Sequence, residues 1–513
     1  MNEAHRKRER YITLAALTLF LATWPLLVRV APLQDQMDWV LQAQIIADAG
    51  SQPWADNFVV NLQPIPNLLG TLVIAGLTKL APVFTAAALA YALYLILFVT
   101  AFSYFARAEG RERPLAELAA VVYAANHFFL MGFFNFTIGL ALLFLVLGFL
   151  RRVEDKWSVG RWLILAALVF LVYLSHFLTF AVAGLAVLIF ACFGKQRGRR
   201  LLVTGTAFAP SLACLAWYVS QRAGEFWFHY AFHNPLYYTW YKVGPWAIAS
   251  SYYPLTPTWA AWINTAINAA AILAVGAFIV VSAVRGRFDR RNPVIVLAVA
   301  LIIIGLLTPT RIYELLRPGQ RLIFVAVLLL FASTSSPATL STRRFRLAGL
   351  AVAALLAWNA VWWFQAGGVL QQERRVLEQL VPPRAKMLIL ADSHFHFREN
   401  RSYLEKAADP YSYPNSVNPL RYLPYHRVIT GGGYLRALFG TGIVTVRNPS
   451  RLPDVSRIWH LDDPDMVGQY THLVATGFAA NLHAIAERAE PLFDLDYLDE
   501  RLLVMERRAE PTP

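Results

Sequence analysis

The sequence has few charged residues and almost no cysteine. Charged side chains make up 15% of its 513 residues, whereas a soluble globular protein carries about 25%. This deficit excludes an ordinary water-soluble fold for most of the chain. The two cysteines, Cys192 and Cys214, both lie in apolar stretches. The sequence therefore contains no disulfide framework and does not indicate a redox compartment.

Apolar residues are abundant, and they are unevenly distributed. They form 57% of the chain, and the mean hydropathy is +0.45, compared with about 45–50% apolar residues in soluble proteins. Nearly all the long apolar runs lie within residues 11–366, whereas residues 367–513 have the composition of a soluble protein. The sequence therefore predicts a polytopic α-helical membrane module, residues 1–366, followed by a small soluble domain, residues 367–513.

The net charge of +14 is concentrated in short basic stretches between the apolar runs. Short Lys- and Arg-rich loops beside membrane spans mark the cytoplasmic side, so this placement argues for a topology signal and against nucleic acid as a partner. The basic N-terminus precedes an apolar run that has no small-residue cleavage site, which predicts an uncleaved first span. The basic stretches are 6–10, 107–113, 151–161, 195–200, 285–291 and 343–346.

Twelve apolar segments approach the length of about 20 residues that a membrane span needs. The run 162–193 is too long for one helix across a hydrocarbon core of about 30 Å, and basic residues flank both its ends. It predicts a helical hairpin with Ser175 and His176 at its tip, and one long tilted helix is the alternative. The twelve segments are 11–31, 64–81, 84–106, 114–131, 133–150, 161–175, 177–193, 201–220, 259–284, 292–309, 320–337 and 346–366.

The basic loops also predict the orientation. With the N-terminus in the cytoplasm, the loops 32–63 and 221–258 and everything after residue 366 lie outside, which requires an odd number of crossings. Segment 64–81 is short and is bracketed by prolines at 64, 66 and 82, so we expect it not to cross. The prediction is about 11 spans. The alternative of a single helix over 162–193 would place two basic loops outside.

The two long loops and the C-terminal region have distinct patterns. The loop 32–63 is polar, whereas 221–258 is rich in aromatic residues, which favour the membrane–water interface and could also line a groove for a lipid or sugar. After residue 382, short alternating segments predict a small α/β domain. The glycine run 431–433 fits a structural turn better than a phosphate loop. The predicted strands are 386–391, 427–430, 443–447, 472–475 and 502–506, and the predicted helices are 434–438 and 479–488.

Two carboxylates, Asp35 and Asp38, follow the first span directly. Simple exposure at the membrane surface would explain them. The functional interpretation is that a carboxylate at the mouth of a membrane cavity accepts a proton from an attacking hydroxyl, or holds a divalent cation against a phosphate leaving group.

This plan resembles the GT-C superfamily of membrane glycosyltransferases. The resemblance rests on the first span, the acidic loop with Asp35 and Asp38, the many helices, the outer C-terminal domain, the stretch 132–139 (GFFNFTIG) and the turn 174–176. It implies transfer of a sugar from a polyprenyl-phosphate donor to a glycan, lipid or protein acceptor outside the cytoplasm, at a bacterial inner membrane. It also implies that Asp35 is the acidic residue of the first loop and Asp38 a second one. A divalent cation, Mg²⁺ or Mn²⁺, is the implied cofactor, although the sequence lacks the Asp-Asp or Glu-Asp pair that would hold it.

Further polar residues are predicted on the same side as Asp35. His127, Asn135 and His176 lie at the outer ends of predicted spans, where they are either interface residues or substrate-binding residues. Arg317 and Arg321 lie in an outer turn, TRIYELLRPGQR, and guanidinium groups bind phosphate bidentately. The alternative is a set of surface ion pairs within that turn.

Three hypotheses for the function follow. The first is a glycosyltransferase in which Asp35 acts as base or metal contact and the arginines neutralise the departing phosphate. The second is a transporter or flippase of lipid-linked glycans, which would need polar residues at mid-membrane depth. The third is a non-catalytic membrane scaffold. A weak metal pattern, Asp392 with His394 and His396, follows a predicted strand, and the pair His229 and His233 is similarly weak.

Overall fold

The computed structural model describes most of the chain, and helices dominate it. Among the described residues, six helices are long and apolar enough to cross a membrane, and five shorter apolar helices accompany them. The chain is therefore a helical membrane protein. The described residues are 3–110, 114–153, 156–193, 196–221, 228–229, 242, 248–252, 255–285, 288–289, 291–309, 311–312, 315–333, 342–391, 416–432, 444–447, 455, 460–477 and 479–508.

The elements alternate between long helices and short connecting pieces. In chain order the helices are α1 (Glu3–Leu27), α2 (Gln36–Ala47), α3 (Trp54–Asn57), α4 (Leu69–Leu77), α5 (Val83–Ala108), α6 (Pro114–Ala124), α7 (His127–Leu130), α8 (Phe134–Val153), α9 (Val159–Ser175), α10 (Phe177–Cys192), α11 (Arg197–Gln221), α12 (Thr258–Val284), α13 (Pro293–Leu307), α14 (Pro318–Ser333), α15 (Thr342–Leu380), α16 (Tyr425–Gly431), α17 (Pro464–Val467) and α18 (Ala479–Ala489). The strands are β1 (Phe58–Val60), β2 (Phe228–His229), β3 (Ser251–Tyr252), β4 (Arg311–Ile312), β5 (Leu315–Leu316), β6 (Met387–Ala391), β7 (Ser416–Val417), β8 (Val444–Val446), β9 (His472–Thr476), β10 (Phe493–Leu498) and β11 (Leu502–Arg507).

The helices differ in how much of their surface other helices cover. α8 has apolar side chains on all faces and packs against α5, α9 and α10, so most of it is buried. A helix that is apolar on every face requires such an environment. By contrast, Leu273 and Val284 on α12 are 73% and 81% exposed. α8 therefore lies at the centre of the bundle, whereas α12 presents an apolar surface suited to lipid.

Two sequence predictions about the helices can be compared with the structure. Within the segment 64–81 the helix α4 has nine residues, which extend about 14 Å, less than a hydrocarbon core of about 30 Å. The run 162–193 is broken at His176, whose backbone is extended (φ −164°, ψ 131°), and α9 and α10 pack against each other. The hairpin, and not one long helix, is therefore present.

One end of the bundle is held together by buried ion pairs from the basic stretches, and we call it the basic end. Arg10 and Arg107 contact the fully buried Glu117 over 2.7 and 2.8 Å. Glu109 likewise pairs with Arg151 and accepts a 2.7 Å hydrogen bond from Asn292. Residues from four of the basic stretches, or directly beside them, thus meet at one end, as a common topological side requires.

The opposite end, which we call the site end, gathers the long loops and the C-terminal region. β1 pairs antiparallel with β8, and β3 pairs in parallel with β7, so the loops after α1 and α11 both contact the C-terminal region. β2, β4 and β5 form a third small sheet. α16 packs directly against α2. Segments that are several hundred residues apart in sequence therefore converge there.

A second hydrophobic core lies beyond the helix bundle. α15 has 39 residues, or about 58 Å, so it extends well past one bilayer thickness and ends beside a four-stranded sheet of order β10-β11-β9-β6. β6 and β9 are parallel and the other pairs are antiparallel. Glu373 near the end of α15 accepts a 3.2 Å hydrogen bond from Arg501, which attaches the sheet to the helix.

One predicted strand is wrong. Residues 427–430 belong to the helix α16 and not to a strand. Tyr425, Val428 and Ile429 are buried at helical i, i+3 and i+4 spacing, so packing on α2 overrides the strand preference of the Val-Ile-Thr sequence. Gly432 ends this helix in a left-handed conformation (φ 70°), which supports the structural-turn interpretation of the glycine run. The predicted helix 434–438 lies outside the described residues.

Candidate functional site

Asp35 is buried at the site end, in the turn between α1 and α2. The backbone N–H groups of Gln34 and Asp35 donate to the carbonyl oxygens of Leu130 and Met131 over 3.0 and 3.2 Å. Gly132 has a positive φ of 76°, and a Cβ at that position would lie 2.6 Å from the Asp35 nitrogen. The glycine therefore permits the close approach that buries Asp35 against the turn after α7.

The Asp35 side chain does not cap α2, because it makes no hydrogen bond to the N–H groups at the start of that helix. It is 5% exposed. Burial raises the pKa of Asp35 to about 6, while the positive charge of Arg421, a hydrogen bond from Gln34 and the charges of Arg321 and Arg317 act in the opposite direction. Loss of hydration thus outweighs three guanidinium groups and a hydrogen bond. The result is a carboxylate that can exchange a proton near neutral pH.

Arg317 contacts His127 from the turn before α14. Its Nη1 lies 3.2 Å from the His127 Nε2. Arg317 has a φ of 55°, a left-handed conformation that costs a residue with a side chain about 1–2 kcal/mol. The next residue, Pro318, begins α14 and disfavours a right-handed helical conformation at Arg317. Backbone strain of this kind is common at functional sites.

Arg321 contacts His176 one helical turn further along α14. Its Nη1 lies 2.8 Å from the His176 Nε2, and its guanidinium carbon lies 4.3 and 5.0 Å from the ring centres of Phe133 and Phe136. Cation–π contacts of this kind stabilise a guanidinium in an apolar environment. Arg321 is 4% exposed, so its charge is held within the protein and interacts with Asp35.

Asp38 lies one turn along α2 and is 1% exposed. Its Oδ2 accepts a 2.6 Å hydrogen bond from Gln42. The tyrosines Tyr422 and Tyr425 lie near it in the C-terminal region. Burial first, and the carboxylate of Asp38 in addition, raises the pKa of both phenols. Asp38 therefore lies in the same enclosed space as Asp35, on the side that α16 covers.

Asn135 has a structural contact that its sequence position does not indicate. Its Oδ1 accepts a 2.6 Å hydrogen bond from the backbone N–H of Gly70, at the start of α4, where helix N–H groups lack internal partners. Its Nδ2 is buried and has no hydrogen-bond partner in the described part of the protein. Asn135 therefore positions α4, and its amide nitrogen remains as a donor.

Arg421 joins the site although the sequence patterns did not single it out. This residue supplies the largest favourable charge interaction with Asp35, and its guanidinium lies 4.9 Å from the Tyr422 ring centre. The backbone N–H of Asn418 donates to the Gln34 side chain over 3.1 Å, which closes this segment over the Asp35 turn. The available signal was the aromatic and basic stretch 421–427 (RYLPYHR).

Several predicted site features lie outside the described residues. These include the metal pattern at 392–396, most of the aromatic loop 221–258 and the side chains of Arg311 and Glu314, whose ion pairs were the alternative for the arginine turn. Among the residues that the structure describes, no group of three or more His, Cys, Asp and Glu side chains could hold a metal ion. Asp35 and Asp38 beside three guanidinium groups do not offer the oxygen-rich ligand set that Mg²⁺ or Mn²⁺ prefers. These residues therefore do not fit a divalent metal ion.

The described site combines a buried carboxylate with several guanidinium groups. Arg421, Arg321 and Arg317 act on Asp35, and Asp38 lies one helical turn away, on the side that α16 covers. Such a site suits a ligand that carries both a phosphate and a hydroxyl group. Comparison of the chain with protein-family models, with curated proteins and with solved structures found no match.

Proposed function

We propose that this protein is a membrane glycosyltransferase that transfers a sugar from a polyprenyl-phosphate donor to an extracytoplasmic glycan, lipid or protein acceptor. The observation that carries the proposal is the buried Asp35 carboxylate among three guanidinium groups. The resemblance of the chain to the GT-C plan supports it, as does the apolar helical surface from which a lipid substrate could reach the site.

The reaction follows from the charges. The acceptor O–H gives its proton to Asp35 as the acceptor oxygen bonds to the anomeric carbon, and the bond from that carbon to the phosphate oxygen breaks. The electron pair of this bond leaves on the lipid phosphate. Arg317 and Arg321 stabilise the charge that develops there. Electrostatic stabilisation of this kind is the largest contribution to the rate enhancement in many enzymes. With a pKa of about 6, Asp35 is mostly ionised at neutral pH and still basic enough to accept the proton.

The proposed arrangement in the membrane follows from the two ends of the bundle. The basic end faces the cytoplasm, because basic residues are retained there, and the site end faces outward at the bacterial inner membrane. About 11 helices cross, with α4 excluded. The C-terminal residues form an extracytoplasmic α/β domain whose α16 segment covers the site.

A strain that lacks the protein tests the proposal whichever sugar is transferred. Lipid-linked sugar should accumulate, and the wild-type gene should remove it. Asp35→Asn keeps the size of the side chain but cannot accept the proton, so turnover should fall about 10²–10⁴-fold. Asp56→Asn is the matched control, because Asp56 is an exposed carboxylate of the same loop. A chelator should leave the rate unchanged.

The other hypotheses predict different results. A flippase would move the intact lipid-linked sugar across the bilayer and release no polyprenyl phosphate from it. A scaffold would tolerate Asp35→Asn completely. Release of polyprenyl phosphate by the purified protein, abolished by Asp35→Asn and unaffected by Asp56→Asn, distinguishes transfer from both. Unchanged turnover in the Asp35 variant would show that the assigned base is wrong.

A further inference from the structure

His176 faces two hydrogen-bond donors although a neutral imidazole has one acceptor nitrogen. The backbone N–H of Leu178 lies 3.1 Å from Nδ1, and the Arg321 Nη1 lies 2.8 Å from Nε2. An amide N–H and a guanidinium can only donate. Whichever ring nitrogen carries the proton, one of these two contacts therefore brings two N–H groups together.

The contact with Leu178 is the fixed one. His176 is the N-cap of α10, and its side chain accepts from the first turn of that helix, whose N–H groups have no intrahelical partner. The helix cannot turn its N–H away. The imidazole is also held by an edge-on contact with Phe136, at a ring-centre distance of 5.3 Å. Nδ1 is thus the acceptor, the proton resides on Nε2, and that N–H points at Arg321.

Two donors therefore converge in a space from which water is largely excluded. His176 and Arg321 are 5% and 4% exposed, and the rings of Phe133 and Phe136 hold the guanidinium in place. A buried N–H that faces another donor, as the His176 Nε2–H does, normally needs an acceptor. The amide nitrogen of Asn135, which has no partner in the described part of the protein, adds a further donor on the same helix as Phe136. A terminal oxygen of an oxyanion accepts from several donors at once and donates to none.

We propose that the His176 Nε2–H and the Arg321 guanidinium together bind one terminal oxygen of a phosphate group, with His176 acting as a neutral donor whose tautomer the α10 helix sets. This assignment rests on the proposed function insofar as the phosphate is that of a lipid-linked donor, and a free phosphate ion has the same chemistry. A neutral donor adds a hydrogen bond without a further buried positive charge.

Two substitutions separate the two nitrogens of His176. In His176→Asn the amide oxygen replaces the Nδ1 acceptor and the Nε2 donor is lost, whereas in His176→Gln the amide nitrogen replaces the Nε2 donor and the cap is lost. The probes are farnesyl phosphate and inorganic phosphate, titrated calorimetrically into the full-length protein in neutral detergent. Thermal unfolding of the same samples measures how much stability is lost when the N-cap of α10 is removed.

His176→Asn should keep the Tm and weaken phosphate binding about 10- to 100-fold, the usual worth of a hydrogen bond to a charged group. His176→Gln should lower the Tm and retain most of the affinity. Equal affinities for wild type and His176→Asn would overturn the assignment, as would equal losses in both variants. If neither variant can be purified, a histidine ¹⁵N spectrum of the wild type with bound phosphate decides, because a proton on the His176 Nδ1 would refute the proposed tautomer.

The probes and the transfer assay distinguish this inference from the proposed function. Farnesyl phosphate that binds far more tightly than inorganic phosphate identifies a lipid phosphate, and comparable affinities identify a free ion. If the variants bind phosphate in the expected order but the protein transfers no sugar, the proposed glycosyltransferase is refuted and the phosphate site stands. If the protein transfers sugar and His176→Asn leaves the KM unchanged, the phosphate site is refuted and the glycosyltransferase stands.

Discussion

Asp35→Asn should make the protein more stable above pH 6 and leave its stability unchanged in acid. Asp35 has a pKa of about 6 in the folded protein and an ordinary value of 3.8, so the folded state holds this proton more tightly than the unfolded state does. Stability therefore falls as pH rises between these two values, and the full cost is present above pH 6. The difference is about two pH units, or about 3 kcal/mol at about 1.4 kcal/mol each.

The substitution removes this cost because an asparagine does not ionise, while its shape and polarity resemble those of the protonated acid. The assay is thermal unfolding in detergent at pH 4 and at pH 8, for wild type, Asp35→Asn and the exposed-loop control Asp56→Asn. The Tm of the Asp35 variant should exceed that of wild type at pH 8 and match it at pH 4. The control should follow wild type at both values.

A Tm for Asp35→Asn that is lower than wild type at pH 8 would refute the reasoning, because it would mean that the charges of Arg317, Arg321 and Arg421 outweigh the loss of hydration. An equal gain at both pH values would indicate a packing effect and not an ionisation. The expected pattern, higher stability together with lost turnover, is the trade-off that a buried catalytic charge imposes.

Three further predictions concern the surroundings of the site. Arg421→Gln should move the acidic limb of the pH–rate profile to higher pH, because it removes the largest positive charge that lowers the pKa of Asp35; a midpoint that is unchanged or lower would contradict this. Gly132→Ala should cost about 1–3 kcal/mol, since it forces a Cβ onto the Asp35 backbone at a positive φ, and a Tm equal to that of wild type would show that the turn can relax. Glu117→Gln should destabilise the protein by about 3 kcal/mol by leaving two arginines of the basic end without their carboxylate, as measured by thermal unfolding, while the midpoint of the pH–rate profile stays the same.

The sequence predicted which residues share the site end but not how they pair. Apolar run lengths and the placement of basic loops were sufficient to put Asp35, His127, His176, Arg317 and Arg321 on one side. The matching of each arginine with a histidine depends on where the start of α14 lies relative to His127 and His176, which a hydropathy profile does not contain. The positive φ of Arg317 was not predicted either, although the following Pro318 disfavours a right-handed helical conformation there.

The C-terminal region was harder to predict. Its strands at 387–391, 472–476 and 502–507 were found because alternation is a local signal. The helix α16 was missed because its buried positions are defined by contact with α2, about 390 residues earlier in the chain. Arg421 was missed for the same reason, since its role depends on a turn that closes over Asp35 through the contact between Gln34 and Asn418.

The contacts that arginine side chains make differ between the two ends of the bundle. At the basic end, Glu117 lies between two arginines and Glu109 pairs with a third. At the site end, Arg317 and Arg321 contact imidazoles, which carry no negative charge.

Three guanidinium groups, those of Arg421, Arg321 and Arg317, act on the Asp35 carboxylate. A bound phosphate would supply further negative charge and an acceptor for the converging donors together. The same ligand would therefore engage the guanidinium groups of the site and resolve the donor conflict at His176.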